Sequence, residues 1–136
     1  MTKINMADPH FNAADREIIH HELDVILDGA LSMGGNVEAF EKEFSTRLGV
    51  THSVAMHSCT STLEAALLAF NISGREVIIP AQTFIATGMA VHLAGGTPIF
   101  AEISSDTFCL DLDDVANRIT AKTAGIILVH MGGLIT

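Results

Sequence analysis

The chain has 136 residues, 49% of them apolar and 17% charged, and a net charge of −9. That length supports one modest domain with a core of its own, and the apolar-rich, charge-poor balance argues against a disordered chain. Only seven Lys and Arg are scattered through it, which argues against nucleic acid, whose phosphates call for basic residues. No apolar window reaches the roughly eighteen residues of a membrane span. Met1 to His10 lacks the basic-then-apolar order of a secretory leader, so a cytoplasmic protein is expected. Cys59 and Cys109 lie far apart and are expected to be free thiols in a reducing compartment.

Residues 1–50 read as a helical arm. Asp15 is placed to cap a helix whose apolar positions include Ile19, Leu23, Ile26 and Leu27, with Gly29 ending it. The loop Ser32-Met33-Gly34-Gly35 follows. Asn36 is placed to cap a second helix, with Glu38 in its first turn and Val37, Phe40, Phe44 and Leu48 as a buried stripe, stopped by Gly49.

Residues 51–136 alternate strand and helix. Strands are expected over Ser53–His57, Glu76–Ile79, Pro98–Ile103 and Ala124–His130. Helices are expected over Thr60–Phe70, with Leu63, Ala66, Leu67 and Phe70 on one face, and over Thr83–Leu93, closed by Gly95-Gly96; a third is capped by Asp111 with Asp113 and Asp114 in its first turn. The strands are short continuous apolar runs, the pattern of strands covered on both faces. With helices between them, a mainly parallel sheet flanked by helices is expected. Gly132-Gly133-Leu134-Ile135-Thr136 reads as a crossover loop with no helix after it, so a fragment of a longer α/β domain is expected.

In such sheets ligands bind beyond the carboxyl ends of the strands, here at residues 57–61, 80–84 and 130–136. Ser58-Cys59-Thr60-Ser61 brings hydroxyls and backbone N–H groups to a helix N-terminus, a setting that suits a phosphate. The same stretch also reads as a plain capping box, Ser61-x-x-Glu64. Phe84 opens the next helix, where it either stacks on a flat ring or packs into the core. His20-His21-Glu22 is not a zinc motif, no His or Cys spacing suggests a metal, and no hydrolase elbow is present. Of Lys3, Lys42 and Lys122, none is placed as a Schiff-base lysine.

The order of several segments resembles the DegT/DnrJ/EryC1/StrS aminotransferases. They are Val37-Glu38-x-Phe40-Glu41, Leu48-Gly49-Val50, Ser58-Cys59-Thr60-Ser61-x-Leu63, Gly74-Arg75-Glu76-Val77-Ile78-x-Pro80-x-x-Thr83-Phe84-x-Ala86-Thr87, Gly95-Gly96-x-Pro98-Ile99-Phe100 and Val129-His130-x-x-Gly133. The resemblance implies the N-terminal part of the large domain of a fold-type I transferase dependent on pyridoxal 5'-phosphate (PLP). It implies amino transfer, usually from glutamate, to a keto-sugar nucleotide by a homodimer. Thr60 and Ser61 match the last two places of the family's phosphate-binding Gly-Thr-Ala/Ser segment, and Phe84 the aromatic that stacks on the cofactor ring. Cys59 stands where the family usually has Gly, and a side chain there would strain a left-handed backbone. Arg75 stands where Asp is usual, on what reads as surface. The family's Schiff-base lysine and pyridine-binding aspartate would lie beyond Thr136. No catalytic residue is therefore assigned within the chain, which is expected to be inactive alone. The alternatives are a PLP-dependent sugar dehydratase of the same family and a non-catalytic α/β binding or assembly domain.

Overall fold

The computed structural model describes residues 9–29 and 31–136. The chain forms two compact units, one up to Ala55 and one over Met56–Thr136.

The first unit holds two helices, Ala13–Leu27 (α1) and Gly35–Leu48 (α2). The cap of α1 is Asn12, not Asp15. Asn12 Oδ1 accepts the Asp15 N–H at 3.0 Å while Asp15 Oδ2 accepts the Asn12 N–H at 3.0 Å, so Asp15 is the far half of a reciprocal box. In α2 the cap position falls to Gly34, and Asn36 lies inside the helix. Glu38 does occupy the first turn, and Gly49 ends the helix with φ 67°, the left-handed conformation that glycine adopts at least cost. The expected buried stripe is not buried: Val37, Phe40, Phe44 and Leu48 are all exposed. Their 3.6-residue rhythm made a helix, but this unit has no opposing layer to cover it. Phe40 and Phe44 pair with each other, ring centroids 5.7 Å apart.

Residues 53–57 form no strand. Among the described residues the segment has no ladder partner, and α2 satisfies it instead. Ser53 Oγ donates to the Glu41 carbonyl at 2.5 Å, and the Ala55 N–H donates to Glu41 Oε1 at 2.8 Å.

The second unit runs helix Cys59–Ala69 (α3), strand Glu76–Pro80 (β1), helix Ile85–Leu93 (α4), strand Thr97–Ala101 (β2), helix Leu112–Arg118 (α5), strand Thr123–Ile126 (β3) and a short 3-10 turn, Met131–Gly133. The sheet order is β2-β1-β3 and both pairings are parallel, as the continuous apolar runs imply. Central β1 is covered on both faces. Val77 and Ile79 join Leu67, Ile72, Ala90 and Val91 under α3 and α4, while Ile78 joins Ala101, Leu110 and Val115 under α5. Each of the fully buried Ile and Val side chains among these contributes roughly 1.5–3 kcal/mol of apolar burial. Ala66 and Phe70, expected on the inner face of α3, are exposed; Leu67 is its buried residue.

The outer strands are shorter than expected. β2 stops at Ala101, and Ile103 instead makes an isolated antiparallel bridge with Leu110. β3 stops at Ile126, although the Ile127 N–H still donates to the Ile78 carbonyl at 2.9 Å. Arg75 is more than surface. Its Nε donates to the Lys122 carbonyl at 3.0 Å and a terminal nitrogen donates to the Thr123 carbonyl at 3.2 Å, clasping the starts of β1 and β3.

Candidate functional site

Connectivity decides which end of the sheet carries chemistry. α3 feeds into the start of β1 and α4 leaves from its end, so both helices run from the carboxyl edge back to the amino edge. They pack side by side, and the Gly74 N–H donates to the Gly95 carbonyl at 2.8 Å where their C-terminal turns meet. The N-termini of α3 and α4 therefore share the carboxyl edge, where α/β sheets bind ligands.

At α3 the cap is Ser58, three residues before the Ser61-x-x-Glu64 box that the sequence suggested. Ser58 Oγ accepts the Ser61 N–H at 3.2 Å, and Ser61 Oγ–H donates to the Ser58 carbonyl at 2.8 Å. The Ser61 hydroxyl is thus turned back onto its own cap, with His57 Nδ1 3.5 Å away. The Cys59 and Thr60 N–H groups, the first two of the helix, have no acceptor among the described residues. Thr60 is half-buried, and its hydroxyl is likewise without a partner among the described residues. Two open N–H donors and a hydroxyl at the positive end of an eleven-residue helix are a setting that suits an anion. Cys59 fits without strain. It is the first residue of the helix and is not among the residues with positive φ, so the side chain in place of glycine has no conformational cost. Its thiol is exposed and unpaired, and that of Cys109 is buried and unpaired.

Phe84 is the cap residue of α4, not a residue within it. Its ring is 75% exposed, so the core-packing alternative fails. It borders a groove of about 350 Å³ whose walls include Ile79, Met89, His92 and Phe100. The strand end beneath is fixed, since the Ala81 N–H donates to the Ala101 carbonyl at 2.8 Å. The third loop, after β3, turns through Gly132 and Gly133 and is tied by the Thr136 N–H, which donates to His130 Nδ1 at 3.0 Å. Reading the sequence alone missed Ser58, whose spacing to Ser61 was available as a signal. It did anticipate free backbone N–H groups at this helix start, and the structure identifies them as those of Cys59 and Thr60. Among the described residues there is no cluster of His, Cys, Asp or Glu that could hold a metal, and no helix long and apolar enough to cross a membrane.

A parallel sheet with helices packed on both faces places this unit in the α/β class. Within that class, the chain belongs to the DegT/DnrJ/EryC1/StrS aminotransferase family, which residues 12–136 match. It is 38% identical over 132 residues to the 3-oxo-glucose-6-phosphate:glutamate aminotransferase of Bacillus subtilis, a match covering 90% of this chain and 30% of that protein. It is 33% identical over 134 residues to the GDP-perosamine synthase of Escherichia coli, covering 98% of this chain and 36% of the relative. A Streptococcus pneumoniae protein described as a sugar aminotransferase, solved in its PMP form, superposes with a TM-score of 0.89 at 28% identity, over 99% of this chain and 34% of that one. Its PLP form superposes equally well. The chain thus spans about a third of the length of the relatives it matches.

Proposed function

We propose that the chain is the phosphate-anchoring part of a PLP-dependent aminotransferase that moves an amino group from glutamate to a keto-sugar nucleotide, working as a cytoplasmic homodimer. The observation that carries this reading is the pair of unpartnered N–H groups, Cys59 and Thr60, at the sheet edge that also presents the open ring of Phe84. The residues fit the cofactor: a dianion meets the helix end, and a planar heterocycle meets an exposed aromatic face. The relatives named for glutamate-dependent and nucleotide-sugar amination support the substrate class.

When bound, PLP supplies the electron sink for amino-group chemistry. This chain's residues do the holding. The Cys59 and Thr60 N–H groups and the Thr60 hydroxyl bind the phosphate oxygens. The Ser61 hydroxyl, which donates to the Ser58 carbonyl at 2.8 Å, would add a further donor to the phosphate on turning outward. Phe84 covers one face of the ring and keeps water from it. A ligand that binds only the folded state raises the melting temperature, so PLP, and more weakly inorganic phosphate, should stabilise the chain. The reading fails if neither shifts the melting curve at millimolar concentration.

A further inference from the structure

The loop that presents Phe84 is held by a hydrogen bond between the two residues that bracket it. Thr83 Oγ1 and Thr87 Oγ1 are 2.9 Å apart, and the Thr87 N–H donates to the Phe84 carbonyl at 3.0 Å. Thr87 is buried, 6% exposed, in the first turn of α4 beneath the ring's backbone, and it cannot itself reach solvent or ligand. Phe84 has no side-chain cap bond to steady it, and its own ring is open to solvent. Its direction is therefore set by neighbours. On one side Ala81 is pinned to β2, and on the other Thr83 is pinned to Thr87.

We propose that Thr87 is a positioning residue for the cofactor-stacking ring: its buried hydroxyl locks Thr83 and so fixes the backbone that aims Phe84 over the heterocycle. The inference rests on the stacking role given to Phe84 above. The hydroxyl acts through the loop and touches neither cofactor nor substrate. Freeing the loop would make binding restrict a segment that the native chain already holds, and that restriction weakens affinity.

The test is PLP affinity, measured by calorimetric titration, for the wild type, Thr87→Val, Thr87→Ser, Phe84→Ala and the double variant Phe84→Ala/Thr87→Val. Phe84→Ala should weaken binding roughly 2- to 10-fold, the worth of an aromatic stack. Thr87→Val, which keeps shape but removes the hydroxyl, should weaken it about 2- to 4-fold, a fraction of the cost of ordering one side chain. Thr87→Ser should bind as wild type. The double variant should be no weaker than Phe84→Ala, because Thr87 acts only through the ring. Backbone ¹⁵N relaxation at Phe84 should show greater mobility in Thr87→Val and wild-type rigidity in Thr87→Ser. Normal affinity in Thr87→Val alongside a weakened Phe84→Ala would overturn the proposal and leave the stacking role standing, as would full additivity in the double variant. Wild-type affinity in Phe84→Ala would remove the stacking role, and this proposal with it. Should Thr87→Val not fold, Thr83→Ala breaks the same bond from its half-buried end and is read by the same outcomes.

Discussion

Replacing Cys59 by proline separates the anion site from the fold. Proline is favoured as the first residue of a helix, because its missing N–H is one the helix does not use. Cys59 occupies that position, and its N–H has no protein acceptor among the described residues. The preceding residue must be extended before a proline, and Ser58 already is, at φ −159° and ψ 156°. The exposed thiol leaves no cavity behind. Stability should therefore hold, or rise by about 0.4–1 kcal/mol through the stiffer unfolded chain. Binding should not. A hydrogen bond to a charged group is worth about 1.5–3 kcal/mol, which corresponds to a loss of roughly 10- to 150-fold in affinity. Calorimetric titration with PLP and with inorganic phosphate gives the affinity, and thermal melting gives the stability. Cys59→Ala serves as control, keeping the N–H and binding normally. Undiminished binding by a folded Cys59→Pro would refute the assignment of the α3 N-terminus as the anchor.

Other outcomes are expected in the same unit. Thr83→Val leaves the buried Thr87 hydroxyl without its partner and should cost about 1–3 kcal/mol in a denaturant melt. At Gly96 an added Cβ would run into Ile72 Cδ1 and come within 3.3 Å of the Val91 carbonyl; Gly96→Ala should lose about 1–3 kcal/mol by overpacking, seen as a lowered denaturation midpoint. Arg118 Nε donates to Asp114 Oδ2 at 2.5 Å, and this bond, with the Glu102 N–H, holds the Asp114 carboxyl below its ordinary value. A depressed carboxyl stabilises above its unfolded value of about 3.9 and loses that contribution as pH falls through the folded one. The gap in melting temperature between wild type and Asp114→Asn should thus be full at neutral pH and close below about pH 4; a gap independent of pH would count against the pair. Lys122 lies before β3 at the amino edge, away from the proposed cofactor, so borohydride reduction with PLP should leave no adduct on it by mass spectrometry.

How far the sequence could be read follows from which signals are local. The β1 run Val77-Ile78-Ile79, the Asp111 cap and the Gly49 stop are each specified by a few neighbouring residues, and each came out as expected. Strand ends were over-read at Ile103 and His130 because apolar character continues past the last residue with a ladder partner. Residues 53–57 have strand-like composition but no ladder partner. Helix caps slipped by one turn or less at Asn12, Gly34 and Ser58, because Ser, Asn and Gly repeat nearby and only backbone geometry selects among them. The stripe from Val37 to Leu48 was legible as a helix face, yet its exposure depends on what lies opposite, which periodicity does not encode. At the candidate site, the residue types at Thr60, Ser61 and Phe84 were legible. Free backbone donors at that helix start were legible too, whereas the turned-in hydroxyl of Ser61 belongs to geometry alone.

The central claim is that a phosphate sits on the first turn of α3 while its ring lies against Phe84. Titrating the ¹⁵N- and ¹³C-labelled chain with PLP and following amide and aromatic resonances tests it in one experiment. The Cys59 and Thr60 amides should shift downfield and saturate together with the Phe84 ring signals, and inorganic phosphate should move the amides but not the ring. Saturable PLP binding that leaves Cys59, Thr60 and Phe84 unmoved would contradict the account.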